Sequence, residues 1–208
     1  MDIHPPHAIH SWKDFGLQLT TITAGILIAL SLEGFRESFH NRALVREARE
    51  NIRREIADNK REVDGEIAGM DGRGKTLETA LRFANDLLKT RHTDVHSLEL
   101  SLSFPTLSAA SWQTAERTGA LAHMEYTEVQ HYASVYMTQD FLVQEQRKAF
   151  DALAAALGIL SAGEGDPTAA PAAEIERFRQ QVIALRSIVF VEEQMTRRIS
   201  DVYKKALE

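Results

Sequence analysis

The chain has 208 residues, of which 24 are Lys or Arg, 30 are Asp or Glu, and none is Cys. The missing thiols exclude a disulfide framework, a thiolate zinc site, an iron–sulfur cluster and a cysteine nucleophile. A formal charge of −6 argues against a general affinity for nucleic acid, and 44% apolar residues argue against wholesale disorder.

The charge is unevenly placed. Between Asp14 and Glu33 no residue is charged, and the 18 residues from Phe15 to Leu32 read FGLQLTTITAGILIALSL. As a helix this run is about 27 Å long, close to the roughly 30 Å of a hydrocarbon core. Ser11 and Asp14 form a capping-box pattern that starts a helix just before it. Trp12 and Lys13 precede the run, and Phe35, Arg36 and Phe39 follow it, as interface anchors do. Two other readings compete: a core helix of a soluble domain, and a cleavable signal peptide with Ala29 and Ser31 at its cleavage site. The second lacks a basic excess ahead of the run. The expectation is a retained single transmembrane anchor over residues 15–35, with 1–14 as a short tail. Only Lys13 lies on its N-terminal side, against Arg36, Arg42, Arg46 and Arg49 beyond it, which places the C-terminal body in the cytoplasm. Thr21, Gly25 and Ala29 fall at i, i+4 and i+8, a small-residue face suited to helix packing within a membrane.

Residues 36–208 read as a helical-bundle domain. From Asn41 to Met70 the apolar positions Leu44, Val45, Ala48, Ile52, Ile56, Val63, Ile67 and Met70 step by threes and fours, with Asn59 filling the gap. The anchor therefore continues into a long amphipathic helix. Asn59 either fixes the register of a pairing between copies or lies inside the chain's own domain. Gly72 and Gly74 are expected to break the helix, and Thr76–Thr90 to form a second one. Residues 91–108 hold the only run of extended character, LELSLSF ahead of Pro105. Further helices are expected over 111–118, 125–160 and 173–207, with SAGEGDPTAAPAA at 161–173 as an internal linker. The fold class is all-α: an N-terminal transmembrane helix continuing into a long amphipathic helix, then a bundle.

Three constellations invite chemistry. Gly69 to Thr76 satisfies G-x-x-x-x-G-K-[ST], with Gly69, Gly74, Lys75 and Thr76 at the P-loop positions. A P-loop needs a buried apolar strand feeding it, and the preceding KREVDGEIA is charged and helix-periodic, so this reading is rejected. His92, Asp94 and His96 offer two imidazoles and a carboxylate to a metal, and His4, His7 and His10 repeat every third residue around Pro5-Pro6. A capping loop and an interfacial tail explain these clusters more simply, and no metal or other cofactor is expected. Trp112, Tyr132 and Tyr136 are candidates to line a pocket between helices, although aromatics at helical spacing usually form core.

Ser11-Trp12 with TAGILIALSLE, Glu55-Ile-Ala-Asp-Asn59, Ser111-Trp-Gln-Thr-Ala-Glu-Arg-Thr-Gly-Ala-Leu121 and Tyr132-Ala-Ser-Val-Tyr136 together resemble a family of bacterial proteins of unknown function. That family has one N-terminal membrane helix and a helical domain. The resemblance implies the bacterial inner membrane and supplies no activity. The expected function is a membrane-anchored, self-associating interaction or scaffold protein that is not an enzyme. Its partners would be the lipid bilayer, further copies of the chain, and a protein or small molecule of unknown identity, but not nucleic acid. The alternatives are a helical small-molecule sensor and, on the rejected motif, a nucleotide hydrolase.

Overall fold

The computed structural model describes residues 12–95, 98–161 and 169–208. Helix α1 runs over Trp12–Thr90, α2 over Ala110–Arg117, α3 over Tyr126–Ser161 and α4 over Ala172–Leu207, with a 3₁₀ turn at Ala120–His123. No strand occurs among the described residues. The chain divides into two compact units, Met1–Glu47 and Ala48–Glu208.

The described part of the first unit is helix, and none of its described side chains is buried. Leu17, Ile22, Ile26, Leu27, Ile28, Leu30 and Leu32 are each more than half exposed. The most apolar 18-residue window of α1 has a mean hydropathy of 1.8, and none of it is buried. Three of its hydroxyls are satisfied within the helix: those of Thr20, Thr21 and Ser31 donate to the carbonyls of Gly16, Leu17 and Leu27 at 2.7–2.9 Å. Such back-bonding removes most of the cost of a hydroxyl in an apolar medium.

In the second unit, side-chain pairs fix the topology. Arg49 meets Glu128, Glu55 meets Tyr136 and Asn59 meets Gln139, so α1 and α3 run parallel. Asp64 meets Ser200 and Arg73 meets Glu192, so α4 runs antiparallel to both. The segment from Arg91 to Glu125 therefore returns the chain along the bundle, from the end of α1 to the start of α3. The apolar core lies toward the α1 C-terminus, where Leu77, Phe83, Ala84 and Leu87 pack with Leu153, Phe178, Val182 and Leu185. Phe83 and Phe178 meet edge to face at 6.3 Å. Each fully buried large apolar side chain contributes about 1.5–3 kcal/mol, against the entropy of ordering the chain.

Two turns need a left-handed backbone. Gly119 follows α2 at φ 78°, which glycine adopts without strain. Arg91 ends α1 at φ 53°, and its guanidinium donates to the Ala170 carbonyl at 2.6 Å, tying the α1 C-terminus to the approach to α4.

The expected break at Gly72 and Gly74 does not occur: both lie inside α1, which is continuous to Thr90. The physical reason is Arg73. It is a charged residue in the sequence but occupies a buried position, so Met70, Arg73, Leu77 and Ala80 continue one inward face by steps of three and four. Replacing Gly72 or Gly74 by Ala should therefore stabilise the protein by about 0.5–1 kcal/mol each, since an added Cβ meets nothing within 4 Å. A chemical-denaturation midpoint that falls in either variant would restore the break.

Candidate functional site

Residues 98–104 alternate in burial like a strand. Leu98, Leu100, Leu102 and Phe104 turn inward and Glu99, Ser101 and Ser103 outward, yet no strand lies beside them. The inward side chains pack on the apolar core. Helix side chains bond the segment's backbone at the Ser103 carbonyl and, just past its end, at Ser108. The Asn59 carboxamide accepts from the Ser108 amide at 2.9 Å and donates to the Ser108 carbonyl at 2.7 Å, the two bonds a neighbouring strand would make. Gln139 donates to the same carbonyl at 2.9 Å, and its oxygen accepts from Asn59 at 3.1 Å and from the Tyr203 hydroxyl at 2.7 Å.

One turn earlier on α1, Glu55 does the same for α2. Its Oε2 accepts from the Ser108 hydroxyl at 2.6 Å and from the Ser111 amide at 3.0 Å, and its Oε1 accepts from the Tyr136 hydroxyl at 2.7 Å. Helix α2 has no side-chain cap of its own at Ala109, so this carboxylate meets the unpaired amides at its N-terminus. Burial works against the charge on Glu55. The donors Ser108, Ser111, Tyr136 and the Trp112 amide outweigh it and hold the carboxyl below its ordinary 4.5. Burial and the Glu55 contact together push the Tyr136 hydroxyl far up, so it remains a donor.

A second polar layer lies further along α1. The Arg73 guanidinium donates to Glu192 at 2.8 Å, to Glu66 and to the Ser103 carbonyl, and stands 4.8 Å from the centre of the Phe104 ring. Glu192 is fully buried, and its other oxygen accepts from Thr196 at 2.8 Å. Here burial prevails over Thr196 and Arg73 and raises the Glu192 carboxyl above its ordinary value. Arg73 thus clamps the same returning segment five residues before Ser108.

The sequence-derived candidates fall as follows. Trp112 stacks on Tyr136 at 5.4 Å and 21°, and Tyr132 and Tyr136 are buried. The polar groups around Tyr136 are bonded to one another rather than turned toward a ligand. Gly69, Gly74, Lys75 and Thr76 lie within α1, where no phosphate-wrapping loop exists, and the Thr76 hydroxyl returns to the Gly72 carbonyl at 3.2 Å. His92 and Asp94 approach to 3.5 Å and are almost wholly exposed, while His96 lies outside the described residues, as do His4, His7, His10 and Ser11. Among the described residues no three His, Cys, Asp or Glu side chains converge to hold a metal. Thr21, Gly25, Ala29, Trp12, Phe35 and Arg36 lie along the exposed helix of the first unit. Lys13 is on that helix too. Glu55, Gln139, Tyr203, Arg73 and Glu192 escaped sequence reasoning as site residues. The available signal was the recurrence of polar residues on stripes that are otherwise apolar.

Comparisons with protein-family models, with curated proteins and with solved structures found no match to this chain.

Replacing Asn59 by Leu should cost about 1–3 kcal/mol, because the Ser108 amide loses its partner and the Ser108 carbonyl and Gln139 oxygen each lose one of two. The two carboxylates should respond to pH with opposite sign. Glu55 is depressed, so its stabilisation is complete above pH 4.5 and is lost as pH falls through its folded value. Glu192 is raised, so its contribution is complete below pH 4.5 and declines as pH rises toward its folded value. In thermal unfolding followed across pH 3–7, Glu55→Gln should flatten the acid limb. Glu192→Gln should remove a loss on the rising side. Identical profiles for the two variants would contradict the assignment.

Proposed function

We propose that this is a single-pass membrane protein whose helical body serves interaction or scaffolding. The observation that carries the reading is the apolar run Phe15–Leu32, which is helical, uncharged and unburied. A core helix of a soluble domain would bury one face; here every large apolar side chain in the run is at least 44% exposed. Removing that surface from water needs an apolar medium, and a bilayer of matching thickness provides it. Trp12 and Phe15, in edge contact at 6.0 Å, stand at one end of the run, and Phe35 and Phe39 at the other, where interfacial aromatics belong.

The finer assignments follow from the sequence. The arginine excess after the anchor supports a cytoplasmic body, the family resemblance supports a bacterial inner membrane, and the small-residue face supports self-association. We assign no enzymatic activity, because the polar clusters of the body are spent on holding the returning segment. Their mutual saturation also weighs against a small-molecule sensor built around Trp112 and Tyr136.

Alkaline washing of membranes should leave the full-length chain in the pellet, and Ile26→Lys should release a substantial fraction of it. The expected cost of a lysine at mid-helix is about 2.5–3.5 kcal/mol. Recovery of the unmodified chain in the wash would end the anchor reading. Protease added to the cytoplasmic side of inverted vesicles should digest the body, whereas protection would reverse the orientation.

A further inference from the structure

Past Leu32 the helix of the first unit carries an arrangement that a bilayer alone does not use. From Glu33 to Glu47 no side chain is buried, and Phe35 and Phe39 are 65% and 68% exposed. At about 100° per residue, Phe35, Phe39, Arg42 and Arg46 fall within about 60° of one another. Glu33, Glu37, His40 and Glu47 occupy a second sector, about 80° wide, on the far side. Between the two flanks lie Leu32 and the exposed Ala43, at the azimuth that carries Thr21, Gly25 and Ala29 in the anchor. Arg36 also lies there, turned onto Glu33 at 2.9 Å.

Each flank stacks charges of one sign. Arg42 and Arg46 are four residues apart, as are Glu33 and Glu37, a spacing at which like charges repel on an isolated helix. Glu37, Arg42, Arg46 and Glu47 form no ion pair among the described residues, whereas further along α1 Lys60 pairs with Asp64 and Arg61 with Asp58. A helix that sets like charges together, with Glu37, Arg42, Arg46 and Glu47 unpaired among the described residues, offers complementary charge to a neighbouring surface.

We propose that residues 33–47 form a pairing surface for a second copy of this chain, lying parallel to the first in the same bilayer; this rests on the anchor reading above. About a two-fold axis along the bilayer normal, each helix presents its basic flank to the acidic flank of its partner, at both edges of the contact. Arg42 stands five residues from both Glu37 and Glu47, about 7.5 Å along the axis, a span an arginine side chain covers in reaching across. Anionic lipid headgroups would suit the basic flank and repel the acidic one, so a second copy accounts for more of the pattern. Exposed ion pairs are individually weak. Confinement of both anchors to one bilayer raises their effective concentration enough for several such pairs to act together.

The chain contains no Cys, so Ala43→Cys gives a single crosslinking position. Membranes bearing the full-length chain would be oxidised and then washed at alkaline pH. Arg42→Glu with Arg46→Glu, and separately Glu37→Arg with Glu47→Arg, should each lower the disulfide-linked dimer about fivefold. Co-expression of the two differently tagged variants should restore a mixed dimer to the unsubstituted level. Chain that stays in the pellet but crosslinks regardless of these substitutions overturns the pairing surface and leaves the anchor standing. Release of the chain by the wash overturns both. A loss in the Arg→Glu variant that the Glu→Arg partner does not rescue also overturns the proposal, and assigns the basic flank to anionic headgroups.

Discussion

A strand-like segment with no neighbouring strand must find other partners for its buried amides and carbonyls, and the body of this protein is organised around meeting that requirement. Residues 98–107 return along the long helices without forming a helix or a strand. Their apolar side chains pack on the core, and side chains from α1 and α3 bond the backbone at Ser103 and Ser108. Asn59 is central because it bonds both backbone polar groups of Ser108 and, through Gln139, reaches Tyr203 on α4. All three long helices and the returning segment therefore converge on one carboxamide. An apolar residue of equal volume would pack there and leave the segment without a defined register.

Long helices with regular stripes were legible in the sequence. The bounds expected for α2, α3 and α4 agree with the structure to within a residue or so, and the end of α1 at Thr90 was anticipated. The uncharged run was legible as well, because 18 residues without a charge form a composition signal that needs no tertiary information. The break at Gly72 and Gly74 was misread for a reason that lies in Arg73. A charge on an apolar stripe, bracketed by two glycines, resembles the end of a helix. Burial of Arg73 between Glu192 and Glu66 reverses that reading, because packing on both sides outweighs roughly 2 kcal/mol of glycine propensity.

The polar clamp was only half legible. Asn59 stood out as a polar residue in an apolar seam, and two roles were open for it; the structure places it inside its own bundle, bonded to Ser108 and Gln139. Its partners gave no comparable signal. Glu55 and Tyr136 are 81 residues apart, and Arg73 and Glu192 are 119 apart. At such separations periodicity carries no information about which polar residue meets which. LELSLSF stood out for its alternation, which its burial pattern follows, but alternation alone does not say whether a strand or a groove between helices receives it.

The capping of α2 by Glu55 bears on the order in which the body assembles. Eight residues are too few for a helix to persist alone, since about 12–15 are needed even in favourable sequences. The carboxylate that completes the first turn of α2 comes from 56 residues earlier in the chain. Helix α2 is thus a product of tertiary closure and follows the docking of the returning segment onto α1. Amide exchange within Ala110–Arg117 would accordingly report when the returning segment lifts from α1, long before the three long helices separate.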